Sequence, residues 1–271
     1  MIIDTHVHFG KILTFDMSEN IVLESMDKYN IDYSLVSNIN ATEGDFNQKP
    51  LPMSLQTSQI DCLKQTINFV KAHKDRLGGL AWVKPYSETL DKQFTDLYCE
   101  NKDILYGLKF HPYHSMIDFD NPRLFPYFDF AKKMNIPVVT HTGMGPNDST
   151  KKVYEIAKKY PSVNFVMVHM GLQTDNKEAI KYILELPNLY GDTTWVPISS
   201  TKDLINKGGI SKIMFGSDNP IDGVNTYKQN RTGNRSLYRD YFEVLPNEIS
   251  KVNCDKIFFE NAKNFFKINI N

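Results

Sequence analysis

Cysteine is scarce in this chain of 271 residues, which contains only Cys62, Cys99 and Cys254. The three lie far apart in segments with helical spacing, and their number is odd, so the sequence does not predict a disulfide framework. We interpret them as buried structural thiols. The chain also has no apolar run close to the ~20 residues that span a bilayer, and it does not open with a basic segment followed by an apolar stretch. These absences predict a cytoplasmic protein that does not use a membrane as a partner.

An excess of charge of one sign is also lacking. Lysine and arginine number 31 and aspartate and glutamate 32, which gives a formal net charge of -1. Nucleic acids and anionic membrane surfaces select for a basic excess, so neither is an expected partner. No glycine-rich Gly-x-Gly-x-x-Gly turn follows the first predicted strand, which argues against a dinucleotide-binding domain. A small-molecule substrate is the expected partner, and assembly into a homo-oligomer stays open.

Alternating strand and helix patterns occupy most of the chain, which is 41% hydrophobic and can bury a large core. Eight short segments are apolar on both faces, which is typical of parallel strands covered by helices, and helical spacing separates them. An α/β chain of this length with eight such units is predicted to form a single (β/α)8 TIM barrel domain over residues 1–271. The predicted strands comprise residues 2–8, 33–37, 80–83, 105–110, 137–141, 163–169, 189–192 and 212–215.

Two segments after the eighth strand complete the predicted barrel. Residues 222–245 are polar, and we interpret them as a lid loop with partial helix over the barrel mouth. Residues 257–266 have helical spacing and are predicted to form a C-terminal helix on the side of the barrel. The lid contains four basic residues that nearby acidic residues offset, namely Lys228, Arg231, Arg235 and Arg239.

The first strand carries the sequence Asp4-Thr5-His6-Val7-His8. Because strand side chains alternate between faces, His6 and His8 project from the same side, with Asp4 below them. Cα atoms two positions apart along a strand lie about 6 to 7 Å apart, so both rings can reach one ion. Zinc or a similar divalent metal binds such imidazole pairs, and the alternative is a pair of hydrogen-bonded core or surface histidines.

The placement of the other histidines favours the metal interpretation. Barrel enzymes carry their active residues at the C-terminal ends of strands. Six of the seven histidines end or follow a predicted strand, and Lys109 and Asp218 join them at strands four and eight. The six are His6, His8, His111, His114, His141 and His169.

Short motifs surround these strand ends. In chain order they are Ile3-Asp4-Thr5-His6-Val7-His8, Gly107-Leu108-Lys109-Phe110-His111-Pro112, Val138-Val139-Thr140-His141-Thr142-Gly143, Val168-His169-Met170-Gly171 and Phe215-Gly216-Ser217-Asp218-Asn219-Pro220. Together with Asn261-Ala262-x-x-Phe265 in the predicted terminal helix, they resemble the amidohydrolase superfamily. The resemblance is to its amidohydrolase-related branch, which also holds non-oxidative decarboxylases, and it covers nearly the whole chain.

Matched position by position, this resemblance implies that His6, His8, His141 and Asp218 bind a divalent metal, for which zinc is the expected ion. It also implies that His169 helps to bind the metal or to position the activated water or substrate. The residue chemistry agrees, because imidazoles and one carboxylate leave room for a water whose pKa falls from about 16 toward about 7. Asp218 can ligate the metal and accept the proton of that water. We therefore predict catalytic roles for Asp218, His169 and Lys109.

Lys109 has three interpretations. Binuclear members of the superfamily carboxylate a lysine on strand four that bridges two metals, so the resemblance implies a second ion if Lys109 is carboxylated. Alternatively, Lys109 stays an ammonium near the metal and orients a substrate carboxylate or an oxyanion. A plain salt bridge inside the barrel is the third interpretation.

Weaker predictions concern residues beside the strand ends. His111 shares strand parity with Lys109 and is predicted to contact substrate, whereas His114 is predicted to lie on a surface loop. Trp195 follows strand seven and Trp82 lies in strand three, and each could line the pocket, although an aromatic in a barrel more often packs. We assign substrate binding to His111 and Trp195.

The sequence thus predicts a metal-dependent hydrolase that cleaves an amide, cyclic amide or ester-like bond of a small molecule with metal-activated water. The first alternative is a metal-dependent non-oxidative decarboxylase of an unsaturated or aromatic acid, which a basic Lys109 would favour. The second alternative is a non-catalytic metal-binding barrel. Substrate-selecting loops vary freely on this scaffold, so the sequence does not identify the substrate.

Overall fold

A single sheet of nine strands organises the computed structural model, which describes residues 1–220 and 238–270. Eight strands are parallel and lie in chain order, and the ninth, β2, pairs antiparallel with the end of β1. The strands are β1 (Ile3–Ile12), β2 (Phe15–Met17), β3 (Tyr33–Asn38), β4 (Leu77–Trp82), β5 (Leu105–Phe110), β6 (Val138–Gly143), β7 (Phe165–Leu172), β8 (Leu189–Asp192) and β9 (Ile213–Met214).

Helices connect each parallel strand to the next one, and two more follow the last strand. They are α1 (Glu19–Tyr29), α2 (Gln59–Ala72), α3 (Lys92–Glu100), α4 (Pro112–Ser115), α5 (Phe125–Met134), α6 (Thr150–Lys159), α7 (Lys177–Glu185), α8 (Ile198–Asn206), α9 (Lys251–Asp255) and α10 (Asn261–Phe266). Turns of 3-10 helix lie at Ile39–Ala41, Met53–Leu55, Pro122–Leu124, Ile210–Lys212 and Leu245–Asn247, and π-helical turns at Arg239–Val244 and Lys256–Glu260. The α/β class and the alternation of strand and helix are confirmed. The strand β2 was not predicted, because a strand of three residues is too short to show a periodic pattern of apolar residues.

Both faces of the sheet are buried, as the apolar strands predicted. One core cluster joins strand side chains to the helices, and a second contains strand side chains and the C-terminal segment but none from α1–α8. Because neighbouring side chains of a strand point to opposite faces, the two clusters occupy the two sides of the curled sheet. The second cluster is formed by Ile3, Tyr33, Leu35, Leu80, Val139, Val166, Val168, Met214, Ala262, Phe266 and Ile268.

The chain that leaves β9 lies beside β1. Backbone hydrogen bonds run from Thr5 N to Phe215 O (3.0 Å), from Asp218 N to His6 O (2.9 Å) and from His8 N to Asn219 O (2.8 Å). The sheet therefore curls until segments from opposite ends of the sequence meet. This contact sets Asp218 directly beside the two histidines of β1.

The segments predicted after the eighth strand are described in part. Of the predicted lid, residues 222–237 lie outside the described residues, including Lys228, Arg231 and Arg235. Arg239 lies on the surface, with its Nε 4.0 Å from Glu243 Oε2. The chain from Lys251 to Phe266 is helical, and its Asn261 Nδ2 donates to the carbonyl oxygens of residues 210 and 213, both at 2.7 Å.

Of the three cysteines, Cys62 is buried and Cys254 is half-buried, but Cys99 is exposed. The prediction of a buried thiol was therefore wrong for Cys99, because α3 buries Phe94 and Tyr98 and turns position 99 outward. Within residues 1–220 and 238–270, no helix has both the length and the apolar character to cross a membrane.

Candidate metal centre

The carboxyl ends of the parallel strands bring the predicted site residues to one edge of the sheet. His6 and His8 lie in β1, Lys109 in β5, His141 in β6 and His169 in β7. Asp218 follows β9, where the hydrogen bonds to β1 hold its backbone. All six side chains are buried. The strand order thus gathers residues that are distant in sequence, as their placement predicted.

His6, His8 and Asp218 form the centre of this group. His6 Nε2 lies 2.9 Å from His8 Nε2. Asp218 Oδ1 lies 3.2 Å from His6 Nε2 and 3.1 Å from His8 Nε2. One ligating atom from each residue lies within 4.8 Å of those of the other two. Three donors of the kinds that zinc prefers therefore converge on one point.

The donor set fits a divalent ion. Bonds of about 2.0–2.1 Å from a tetrahedral ion would place its ligand atoms about 3.3 Å apart, close to the separations observed here. Ser37 Oγ donates to Val7 O and lies 2.9 Å from His8 Nδ1, so it can accept the proton of that nitrogen. Burial lowers the pKa of His8 to about 4, which keeps the ring neutral with its lone pair on Nε2.

Trp195 fixes the second oxygen of the Asp218 carboxylate. The indole Nε1 donates to Asp218 Oδ2 at 2.9 Å, which leaves Oδ1 facing the two histidines. Burial opposes ionisation, but the close approach of His6 and His8 outweighs it and holds the pKa of Asp218 well below its usual range. The carboxylate is therefore charged and oriented. The predicted contact of Trp195 with substrate remains a prediction.

Lys109 lies against the same centre. Its Nζ is 3.4 Å from His6 Nε2 and 5.8 Å from the centre of the Trp82 ring. The side chain is 1% exposed, and this burial lowers the pKa of Lys109 to about 7, while the charges of Asp218 and Asp192 act in the opposite direction. Neutral and charged forms of the amine are thus close in free energy near pH 7.

His141 and His169 surround the group of three without belonging to it. The His169 ring lies 5.5 Å from the His6 ring and 4.7 Å from that of His141. His141 stacks on His111 at 4.0 Å, and its Nε2 lies 3.2 Å from Asp148 Oδ2. Their roles as ligands remain predictions.

A cavity of ≈ 460 Å³ opens beside His141 and is lined by side chains that follow several strand ends. His111 lines this cavity, and its contact with substrate remains a prediction. His114 also lines it and is only 8% exposed, so its prediction as loop surface was wrong. The reason is the short helix α4, which turns His114 inward so that its Nδ1 lies 2.9 Å from Gly44 O.

Asp192 is a site residue that the sequence did not reveal. Its Oδ1 accepts from the backbone N–H of His169 at 2.9 Å, and its Oδ2 lies 3.6 Å from His6 Nδ1. Burial raises the pKa of Asp192, but interactions with His6 and His169 outweigh this and hold it below its usual value. A carboxylate behind a ligating histidine fixes the orientation of the ring. Only its position at the end of β8 could have indicated this role.

Asp4 and Ser217 form a second support. Asp4 Oδ1 accepts from the backbone N–H groups of His6 and Ser217, both at 3.1 Å, and Asp4 Oδ2 accepts from the Ser217 hydroxyl. These bonds tie the strand that carries the two histidines to the residue before Asp218. Burial raises the pKa of Asp4 to about 7. The sequence placed Asp4 beneath the histidines but did not indicate Ser217 as its partner.

Several solved structures share the fold of this chain. A probable 2-pyrone-4,6-dicarboxylic acid hydrolase from Acinetobacter baumannii, with citric acid bound, aligns with a TM-score of 0.68 at 15% identity over 98% of this chain and 99% of that one. A 5-carboxyvanillate decarboxylase from Novosphingobium aromaticivorans, with manganese bound, aligns with a TM-score of 0.72 at 14% identity over 99% of this chain and 97% of that one. An uncharacterised TIM-barrel protein from Bordetella bronchiseptica aligns with a TM-score of 0.68 at 17% identity over 98% of both chains. At such identities the likeness shows the fold.

The family is shown by the sequence. The profile of the amidohydrolase family, Amidohydro_2, matches residues 3–268, and the chain therefore belongs to this family. A comparison with curated proteins finds no match. The predicted resemblance is confirmed, whereas the choice between hydrolase and decarboxylase is not made by these findings.

Proposed function

We propose that the protein is a metal-dependent hydrolase of a small molecule, which cleaves an amide, cyclic amide or ester-like bond with activated water. The observation that carries the proposal is the convergence of His6, His8 and Asp218 on one point. In this proposal His141 and His169 complete the ligand set, and zinc is the expected ion. The curled sheet is taken as a single (β/α)8 barrel domain, with the lid and the C-terminal helix as its additions.

The chemistry follows from the orientation of the side chains. A divalent ion held by His6, His8 and Asp218 would supply Lewis-acid polarisation of a carbonyl and would lower the pKa of a water toward neutral pH. Asp218 presents Oδ1 while Trp195 holds Oδ2, so this carboxylate accepts the proton and passes it to the leaving group. Lys109, as an ammonium, orients an oxyanion. If it is carboxylated instead, it binds a second ion.

One observation favours a second candidate, the non-oxidative decarboxylation of an unsaturated or aromatic acid. Lys109 places a buried amine 3.4 Å from His6 Nε2, where a charged form would hold a substrate carboxylate. The 5-carboxyvanillate decarboxylase with the same fold supports this candidate by analogy only.

An assay with two product readouts separates the candidates. The purified chain would be analysed for bound metal, loaded with zinc or manganese, and given a panel of amides, lactams and lactones alongside aromatic and unsaturated acids. Hydrolysis without release of carbon dioxide supports the main proposal, and release of carbon dioxide selects the second candidate. A metal-loaded protein without turnover on either half of the panel contradicts both. Carbon-13 NMR of the protein after labelling with carbon dioxide shows whether Lys109 is carboxylated.

Substitutions at the centre test the assigned roles. We expect His6→Ala or His141→Ala to lose both metal and activity. Asp218→Asn should lower kcat by about 10²- to 10⁴-fold while keeping at least part of the metal, because the amide cannot accept the proton. Metal content and turnover would be measured together, with the surface substitution Asp203→Asn as the control. Full activity in a metal-free Asp218→Asn protein would overturn the proposal.

A further inference from the structure

The carboxyl end of β7 leaves the regular sheet at residues 169–171. His169, Met170 and Gly171 have φ values of 68°, 47° and 85°. Side chains other than glycine rarely adopt this left-handed conformation, because the Cβ atom approaches the following carbonyl oxygen. Two such residues in succession persist only when the surroundings hold them.

The pairing of β6 with β7 shows the same irregularity. His141 pairs with Val168, but Gly143 pairs with Leu172, so two steps along β6 correspond to four steps along β7. The additional residues form a bulge whose carbonyl groups turn out of the ladder. Buried carbonyls of this kind need other donors.

Asn176 supplies one of these donors. Its side chain Nδ2 lies 3.2 Å from His169 O, 3.0 Å from Met170 O and 3.5 Å from Gly171 O. Asn176 is 3% exposed and is itself left-handed, with φ 59° and ψ -2°, at the start of α7. One amide group therefore serves the carbonyls of all three bulge residues.

Thr142 spans the bulge from the neighbouring strand. Its Oγ1 donates to Val168 O at 2.6 Å and accepts from the backbone N–H of Gly171 at 2.8 Å. The side chain is fully buried. A single hydroxyl thus joins the residue before the bulge to its last residue, and it does so from the position that follows His141.

The bulge decides where the His169 imidazole lies. The ring Nδ1 is 3.1 Å from Thr194 O, and because a carbonyl only accepts, Nδ1 carries the proton. The neutral ring then has its lone pair on Nε2, the form in which histidine binds a metal. This bond is made with residue 169 in its left-handed conformation, at φ 68°.

We propose that Asn176 and Thr142 are positioning residues, which together hold the left-handed bulge of β7 and so set the place and tautomer of the His169 imidazole at the metal centre. The inference rests on the proposed function for the meaning of that placement, in which His169 helps to bind the ion or its ligands. Neither residue touches the reacting atoms.

The test compares these residues with a matched asparagine elsewhere. Asn188 Nδ2 also donates to three backbone carbonyls, those of Ala157, Tyr160 and Val163, at 3.0, 3.1 and 2.8 Å. It precedes β8, at the end of the sheet away from the metal centre. Asn188→Ala therefore removes an asparagine that donates to three carbonyls, at a position that does not contact His169.

Two measurements apply to Asn176→Ala, Thr142→Val, Thr142→Ser and Asn188→Ala in the full chain. The first is the affinity for zinc alone, by competition with a chromophoric chelator. The second is the nitrogen-15 spectrum of the histidine rings in metal-free protein, with the His169 signals assigned by their loss in His169→Gln. Thermal unfolding of each variant confirms that it folds.

We expect Asn176→Ala and Thr142→Val to weaken zinc binding by about 10- to 100-fold and to shift the His169 signals away from the Nδ1–H tautomer. Thr142→Ser, which keeps the hydroxyl, should retain both properties. Asn188→Ala should lower the unfolding temperature and change neither property.

The inference is overturned if the His169 signals stay unchanged in Asn176→Ala and Thr142→Val, or if Asn188→Ala changes them equally. Should Asn176→Ala fail to fold, the pair Thr142→Val and Thr142→Ser decides the outcome. An unchanged zinc affinity in His169→Gln would contradict the ligand role of His169 within the proposed function. The nitrogen-15 signals of the His169 ring would still test the positioning role of Asn176 and Thr142.

Discussion

At the scale of single residues, the buried carboxylate of Asp192 contacts two of the histidines at the centre. It accepts from the His169 backbone N–H and from the Thr194 hydroxyl, and its Oδ2 faces His6 Nδ1. His6 Nδ1 has no hydrogen-bond partner within normal geometry in the described structure, so this carboxylate is the group placed to orient the ring. The negative charge of Asp192 therefore lies directly beside the candidate metal centre.

Asp192→Asn should therefore weaken binding of zinc by about 10- to 100-fold, because the amide removes the charge that faces His6. Zinc titration of the metal-free protein measures this effect. Asp203→Asn, on the surface beside Lys207, is the matched control and should leave affinity unchanged. Equal affinities for the wild type and Asp192→Asn would show that Asp192 does not act on the metal ligands.

His114 gives a second prediction at this scale, which concerns stability and pH. Burial lowers the pKa of His114, although the contact of its Nδ1 with Gly44 O at 2.9 Å acts in the opposite direction, so folding favours the neutral ring. In the unfolded chain the ring titrates near about 6.5. Because the folded state binds the proton less readily, the contribution of His114 to stability is complete above that pH and is lost as the pH falls below it.

Asparagine can place its Nδ2 donor near the position of the histidine Nδ1 but does not titrate. We expect the urea midpoint of His114→Asn to fall less than that of the wild type between about pH 7.5 and about pH 5.5. The same substitution at the partly exposed His73 is the control. A parallel fall in the wild type and in His114→Asn would contradict the prediction.

At the scale of elements, one side chain of the last helix bonds to the backbone beside β9. Asn261 Nδ2 donates to the carbonyl oxygens of Ile210 and Ile213, which lie on either side of the turn that leads into the strand. Removing the donor leaves both carbonyls without this partner, at a cost of about 1–3 kcal/mol.

Asn261→Ala should lower the free energy of unfolding by about that amount, measured by urea denaturation. Asn264→Ala is a control on the same helix, because residue 264 is exposed. A loss no larger than that of the control would show that the two bonds do not stabilise the contact between the helix and β9.

Element positions were predictable where each segment repeats a local pattern. The strands at 105–110 and 189–192 were predicted with the bounds observed, because apolar runs with clear ends define them. The inward turn of His114 was not predictable, since a four-residue helix carries too little periodicity to be identified. The bulge at residues 169–171 was likewise not predictable, because its support comes from one side chain in β6 and one just before α7.

At the scale of the whole molecule, the proposed metal binding would couple to unfolding. The centre joins β1 to the chain after β9, so an ion bound there links segments from opposite ends of the sequence. An ion that binds only the folded state at 100 times its Kd adds about 2.7 kcal/mol to stability. For a chain near this size, each kcal/mol raises Tm by roughly 2–4 °C.

Zinc added to chelator-treated protein should therefore raise Tm by several degrees, and removal of zinc should reverse the change. Differential scanning calorimetry measures both directions. His6→Ala is the control and should show a much smaller response. Equal responses in His6→Ala and the wild type would place the stabilising ion elsewhere.

The sequence by itself determined the alternation of strands and helices, the family, and the residues that meet at the strand ends, because periodicity and short motifs are local properties of the chain. Only the tertiary structure decided that the chain after β9 lies against β1, that Asp192 faces His6, and that Thr142 and Asn176 hold the bulge before α7. These contacts join residues far apart in sequence, and each depends on how the sheet curls and how its strands are paired. No local pattern records that geometry.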